Sequence, residues 1–167
     1  MPVRKTLILG IALMLVVAAG ATAASKRVNW TVSGAAIGTP FEGIASTYPD
    51  CGRLLLIQVH AQGSPGSAEI LGFNLDCPDD RAENSLVASF KDGSLLNLII
   101  NPDVPTEFSF DPDTGFATVK FSLIVSGGFG RFEEASGDVD AVLHVKAVAP
   151  GSLLQYEYGT LTGTIHY

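Results

Sequence analysis

Cysteine is scarce in this sequence: 167 residues hold two, Cys51 and Cys77. They are not spaced as Cys-x-x-Cys, which excludes the usual dithiol redox motif. Basic residues are also few, 10 Lys and Arg against 17 Asp and Glu. An excess of negative charge repels phosphate backbones and anionic headgroups, so no nucleic-acid partner is expected. No stretch after the first two dozen residues is apolar for long enough to span a bilayer. Sustained 3.6-residue periodicity is missing as well, which argues against a helical core. No Gly-x-Ser-x-Gly nucleophile motif occurs, and no glycine-rich loop is followed by Lys-Ser/Thr and a helix. Catalytic and cofactor-binding residues therefore cannot be assigned by motif, and no cofactor is expected.

What is present begins with a targeting pattern. Arg4 and Lys5 form a short basic region, residues 6–18 (TLILGIALMLVVA) an apolar run, and residues 19–25 (AGATAAS) a stretch of small residues. This is the three-part layout of a secretory signal peptide, with Ala21-Thr22-Ala23 as a cleavage motif. Cleavage after Ala23 or Ala24 is expected, with residues 1–23 forming the signal peptide helix. The remaining residues, 24–167, form one domain of ordinary size, 144 residues long. Its charge is 8 basic against 17 acidic residues, a net −9. Export, to a bacterial periplasm or beyond it, implies an oxidising compartment. Cys51 and Cys77 are then expected to pair, closing a loop of 26 residues worth about 3.5 kcal/mol.

The segments between turn signals alternate in polarity, as antiparallel strands do. Val28–Val32 is a first strand. In Arg53–Gln62, Leu55, Ile57, Val59 and Ala61 share one face. Ala68–Leu75 returns after the turn Gly63-Ser64-Pro65-Gly66. Leu86, Ala88 and Phe90 lead through a two-residue Asp92-Gly93 turn to Leu96, Leu98 and Ile100. Thr106–Phe110, Ala117–Ser126, the segment around Val139–Val145, and Gln155–Tyr167 complete the set, with one helical turn expected near residues 132–136. About eight strands in 144 residues form either a β-sandwich or a closed antiparallel barrel. Pairing of the last strand with the first favours the barrel.

Residues 124–137 (IVSGGFGRFEEASG) resemble the Gly-Gly-Thr-Gly-Arg-Phe-x-x-Ala-x-Gly signature of small exported bacterial β-barrel proteins, most of them uncharacterised. The same segment is similar to the Gly-Gly-Thr-Gly-x-Phe pattern of plant dirigent proteins, which share a calycin-like barrel with allene oxide cyclases. Phe129 stands where those proteins carry Thr. The resemblance implies a calycin-like fold and a structural role for Gly127, Gly128, Gly130, Arg131, Phe132 and Gly137. Phe132 would plug one barrel end, and Arg131 would cap carbonyls or pair with Glu133 or Glu134, with contact to a ligand as the alternative role for Arg131. The activities of those families rest on residues elsewhere in their barrels, and none of those residues is carried over to a position here.

Weaker constellations read as structural. His60 and His144 alternate opposite apolar positions, and His166 shares a face with Thr160, Thr162 and Thr164, so the three do not suggest a metal site. Asp111-x-Asp113-x-Gly115 lacks the later acidic ligand of a calcium loop and reads as a turn. Asp76, Asp79 and Asp80 read as a solvated loop. Trp30, Tyr48, Tyr156, Tyr158 and Tyr167 are candidates for lining a cavity, or for packing a core. The expected function is binding of a small apolar ligand or a protein partner. The alternatives are an isomerase or cyclase of dirigent or allene oxide cyclase type, requiring a buried carboxylate or Arg, and a structural envelope-interaction protein.

Overall fold

A computed structural model of the chain describes residues 24–40, 53–76 and 85–167. The signal peptide, Tyr48, Asp79, Asp80 and the Cys51–Cys77 pairing lie outside the described residues. Nine strands follow in order: β1 (Ser25–Pro40), β2 (Arg53–Ser64), β3 (Ala68–Asp76), β4 (Ser85–Phe90), β5 (Leu95–Ile100), β6 (Glu107–Asp111), β7 (Phe116–Phe129), β8 (Ser136–Ala147) and β9 (Leu154–His166). A short 3-10 turn, Gly130–Phe132, joins β7 to β8. No helix among the described residues is long and apolar enough to cross a membrane.

All pairings are antiparallel. β1 to β5 form a meander, β7 to β9 a second one, and β1–β9 and β5–β7 pairing closes eight strands into a barrel. β6 is additional. It pairs with residues 116–120 of β7, beyond the stretch at 123–129 that pairs with β5. Of the two folds that the alternation allows, the closed antiparallel barrel of eight strands is therefore the observed one, with β6 as an extra strand.

β1 is far longer than the Val28–Val32 segment that sequence marks. Its second half, Ser33-Gly34-Ala35-Ala36-Ile37-Gly38, has small residues and low intrinsic strand preference. Ladders on both edges, to β2 and to β9, hold it extended. The β4–β5 turn also differs from the expected two-residue form. Gly93 N–H donates to the Phe90 carbonyl and Phe90 N–H donates to Ser94, so the loop is Lys91-Asp92-Gly93 with a left-handed Gly93 (φ 81°).

The core occupies one end of the barrel, at the turns β2–β3, β4–β5 and β7–β8. Trp30, Phe132, Leu96, Leu98, Leu123 and Ile165 are fully buried there. Trp30 Nε1 donates to the Gly66 carbonyl at 2.7 Å, which satisfies the only polar atom of the buried indole. Toward the other end the inward residues Leu55, Ile57, Val119, Leu143 and Val145 are only half-buried.

Glycines on the inner face let the strands bend into so small a barrel. A Cβ at Gly159 would lie 2.0 Å from the Val142 carbonyl oxygen, a backbone atom that cannot move without breaking the β8–β9 ladder. Gly159→Ala is therefore expected to cost about 2 kcal/mol in denaturant unfolding. Gly151→Ala, with left-handed φ but open space around it, should cost about half as much, from backbone strain alone. Equal losses would mean that the contact with β8 does not matter.

Candidate functional site

The inner face of β9 is Gln155, Glu157, Gly159, Leu161, Gly163 and Ile165. Strict alternation thus puts a carboxylate on the face that holds the apolar core. Glu157 is 5% exposed, and its Oε2 is buried without a hydrogen-bond partner among the described residues. Burial pushes its carboxyl up to about 7, because the charged form loses hydration that nothing replaces.

Strand register defines the surroundings. Glu157 lies directly opposite Gly34 of β1 and Val145 of β8. Val145 lies opposite Ala117 of β7, and Ala117 opposite Phe110 of β6. In the next row Gly159 is flanked by Val32 and Leu143, and Leu143 is followed by Val119 and Phe108. Gly34 and Gly159 leave the wall beside Glu157 without side chains, and Ala36 adds only a methyl group. The resulting wall is apolar apart from Glu157 and Gln155.

Phe108 and Phe110 continue this inner face outward on β6, where they are 69% and 60% exposed. β6 lies beyond the end of β5, so both rings stand at the rim of this end of the barrel among the described residues. Phe110 is three strand spacings from Glu157, roughly 14 Å. Val104, Val148 and Leu153, on the connections at the same end, are also exposed. Two large exposed aromatic rings on one short strand are an unusual feature for a surface that serves only solubility.

No protein-family model and no curated protein sequence matches this chain.

The glycine-rich segment singled out in the sequence closes the opposite end. Ser126 and Gly127 form a bulge against β5, with Gly127 left-handed at φ 72° and its N–H donating to the Ala135 carbonyl at 2.9 Å. Gly130 is left-handed at φ 66° and packs against Ser94, while a Cβ at Gly128 would strike the Leu95 carbonyl. Gly137, at φ 143°, meets the Thr164 carbonyl in the same way. Phe132 fills the barrel end against Phe90 and Tyr167, with ring centroids 4.9 and 4.7 Å away. Arg131 does not pair with Glu133 or Glu134, which are exposed. Its guanidinium lies 3.2 Å from Asp92 and stacks on Phe90 and Phe132 at 4.7 Å each. The Ser94 backbone N–H, reinforced by Arg131, holds the Asp92 carboxyl below the usual carboxylate range.

The remaining candidates are dispersed. His60 Nδ1 meets Glu69 at 2.7 Å on the outside of β2 and β3. His144 is hydrogen-bonded to Thr118 and packs on Tyr158, and His166 is exposed at the far end of β9. Asp111 accepts from the Thr114 hydroxyl and the Asp113 N–H, which hold its carboxyl low and form the β6–β7 turn. Of the aromatics, Trp30 and Tyr167 pack at the closed end. Tyr156 and Tyr158 are exposed on the outer face of β9, so they do not line the lumen.

Proposed function

We propose that this chain is an exported, non-enzymatic barrel that binds a small, largely apolar molecule in its lumen. The carrying observation is Glu157, a buried carboxyl whose Oε2 has no hydrogen-bond partner among the described residues, on the inner face of β9 between Gly34 and Val145. Unsatisfied buried polar groups cost about 1–3 kcal/mol, and they persist where function uses them. The graded burial along the lumen and the exposed Phe108 and Phe110 supply an apolar entry. At the other end Trp30, Phe90 and Phe132 close the barrel.

Native mass spectrometry of protein purified from its own envelope, without detergent, tests this reading. A bound molecule that leaves on denaturation is the expected result. A native mass equal to the denatured mass, together with no stabilisation by any member of an apolar ligand library, would overturn it. The denatured mass also locates the cleavage site and shows a two-proton deficit if Cys51 and Cys77 are joined.

A second reading is supported by the same residue. A carboxyl poised near 7 suits a general acid or base, as an isomerase or cyclase requires. The molecule released in the first experiment discriminates the two. Its chromatographic conversion by stoichiometric protein would mean catalysis, and its recovery unchanged would mean binding.

A further inference from the structure

We propose that Glu157 is the polar anchor of the lumen and that the ligand is a neutral molecule with one hydrogen-bond-accepting oxygen, inserted oxygen-first. This rests on the lumen-binding reading above. The surroundings of the carboxyl select the ligand's chemistry. Inward positions around it are Val32, Gly34 and Ala36 on β1, Leu143 and Val145 on β8, and Gln155 and Gly159 on β9. Across the lumen stand Leu55 and Ile57 on β2, Asn74 on β3, Ile100 on β5, and Val119 and Phe121 on β7. None of these side chains is titratable or charged; the next inward register positions, Arg53 of β2 and Asp76 of β3, lie opposite one another in the β2–β3 ladder.

In such surroundings a cationic amine would have to form an ion pair whose remaining protons find few acceptors. The backbone groups of β1, β8 and β9 are already used in their ladders. The desolvation cost of that pair exceeds its attraction unless further hydrogen bonds complete it. A neutral carboxylic acid avoids the cost. It has one O–H to donate, and a ketone, ester or ether oxygen is its natural partner. The apolar remainder of the ligand would then lie along Val145, Ala117 and Phe110, the row that leads to the rim. Burial favours the neutral acid up to about pH 7, so the donor is available at acid and near-neutral pH.

The test uses two probes of nearly equal shape, acetophenone and ethylbenzene, titrated into labelled protein and followed by amide chemical shifts. Wild type at pH 5.5 should bind acetophenone about 10-fold more tightly, the value of one buried hydrogen bond. At pH 8.5 the preference should shrink several-fold, because the carboxylate offers no proton. Glu157→Gln, which keeps neutral N–H donors, should retain the preference at both pH values, and Glu157→Leu should lose it at both. Binding of both probes in the lumen with a preference that Glu157→Leu leaves intact would overturn the anchor while sparing the binding barrel. Absence of lumen shifts for both probes in wild type would overturn the binding reading and the anchor with it.

Discussion

Replacing Phe132 with alanine is expected to destabilise the protein by about 3–5 kcal/mol, the range for removing a fully buried aromatic ring. Three losses combine at this position. Truncation leaves a cavity between Phe90 and Tyr167, removes two aromatic pairs, and strips one of the two faces on which Arg131 stacks. The site has little freedom to collapse. Phe132 is held by the 3-10 turn, whose ends are tied by the bonds Glu133 N–H to Gly130 and Ala135 N–H to Phe132. Total stability of a domain this size is about 5–15 kcal/mol, so the variant should sit near the edge of folding. Phe129→Ala provides the comparison, three residues away in the same motif. Phe129 is 66% exposed, and its loss should change stability by about 0.5 kcal/mol or less. Denaturant unfolding of both variants decides the matter. Similar effects would mean that Phe132 is not the plug of this end.

The contrast between these two phenylalanines shows what the sequence made legible. Strand alternation placed Leu86, Ala88 and Phe90 and Leu96, Leu98 and Ile100 on the inner face, and the structure has them there. It did so because each segment pairs on both edges and one face must be apolar. Turn details were less accessible. Asp92-Gly93 suits several hairpin loops, and the three-residue form is selected by the Ser94 N–H bonding to the Asp92 carboxylate. The partner of Arg131 was also out of reach. Sequence neighbours Glu133 and Glu134 are nearer along the chain, but the barrel's closed end brings Asp92 to the guanidinium from another hairpin.

Glu157 lay in plain view and was still easy to pass over. The Thr and Tyr residues of β9 draw attention to its outer face, Tyr156, Tyr158, Thr160, Thr162 and Thr164. Counting by twos from Leu161 and Ile165 places Glu157 on the inner one. An acid at core parity violates the local pattern, and such violations are expected where function outweighs stability. The short side chains beside it, Gly34, Ala36 and Gly159, become meaningful only when β1 and β9 are known to be neighbours. That pairing joins the two ends of the described chain.

Glu157→Gln is expected to become more stable relative to wild type as pH rises, by about 3 kcal/mol between pH 4.5 and pH 8. In the unfolded chain the carboxyl titrates near the ordinary 4.5, and in the fold burial raises it to about 7. Between those values the native state holds a proton that the unfolded state has released. Stability therefore falls as pH rises through this window, and it levels off above about 7. The separation of about 2.5 pH units, at about 1.4 kcal/mol per unit, gives the stated magnitude. Glutamine is neutral throughout and has nearly the same shape, so the contribution disappears in the variant. Subtracting the two stability curves cancels the exposed carboxylates and histidines, which titrate alike in both proteins. Urea unfolding at half-unit steps of pH measures that difference. A difference that stays flat would mean that the Glu157 carboxyl keeps an ordinary affinity for its proton, and the anchor would then be a carboxylate at neutral pH. A difference of opposite sign would require a cation beside Glu157 in the fold. A rising difference that saturating acetophenone leaves unchanged at pH 4.5 and enlarges at pH 8, where wild type has lost the donor that glutamine keeps, would join stability and ligand binding in the same proton.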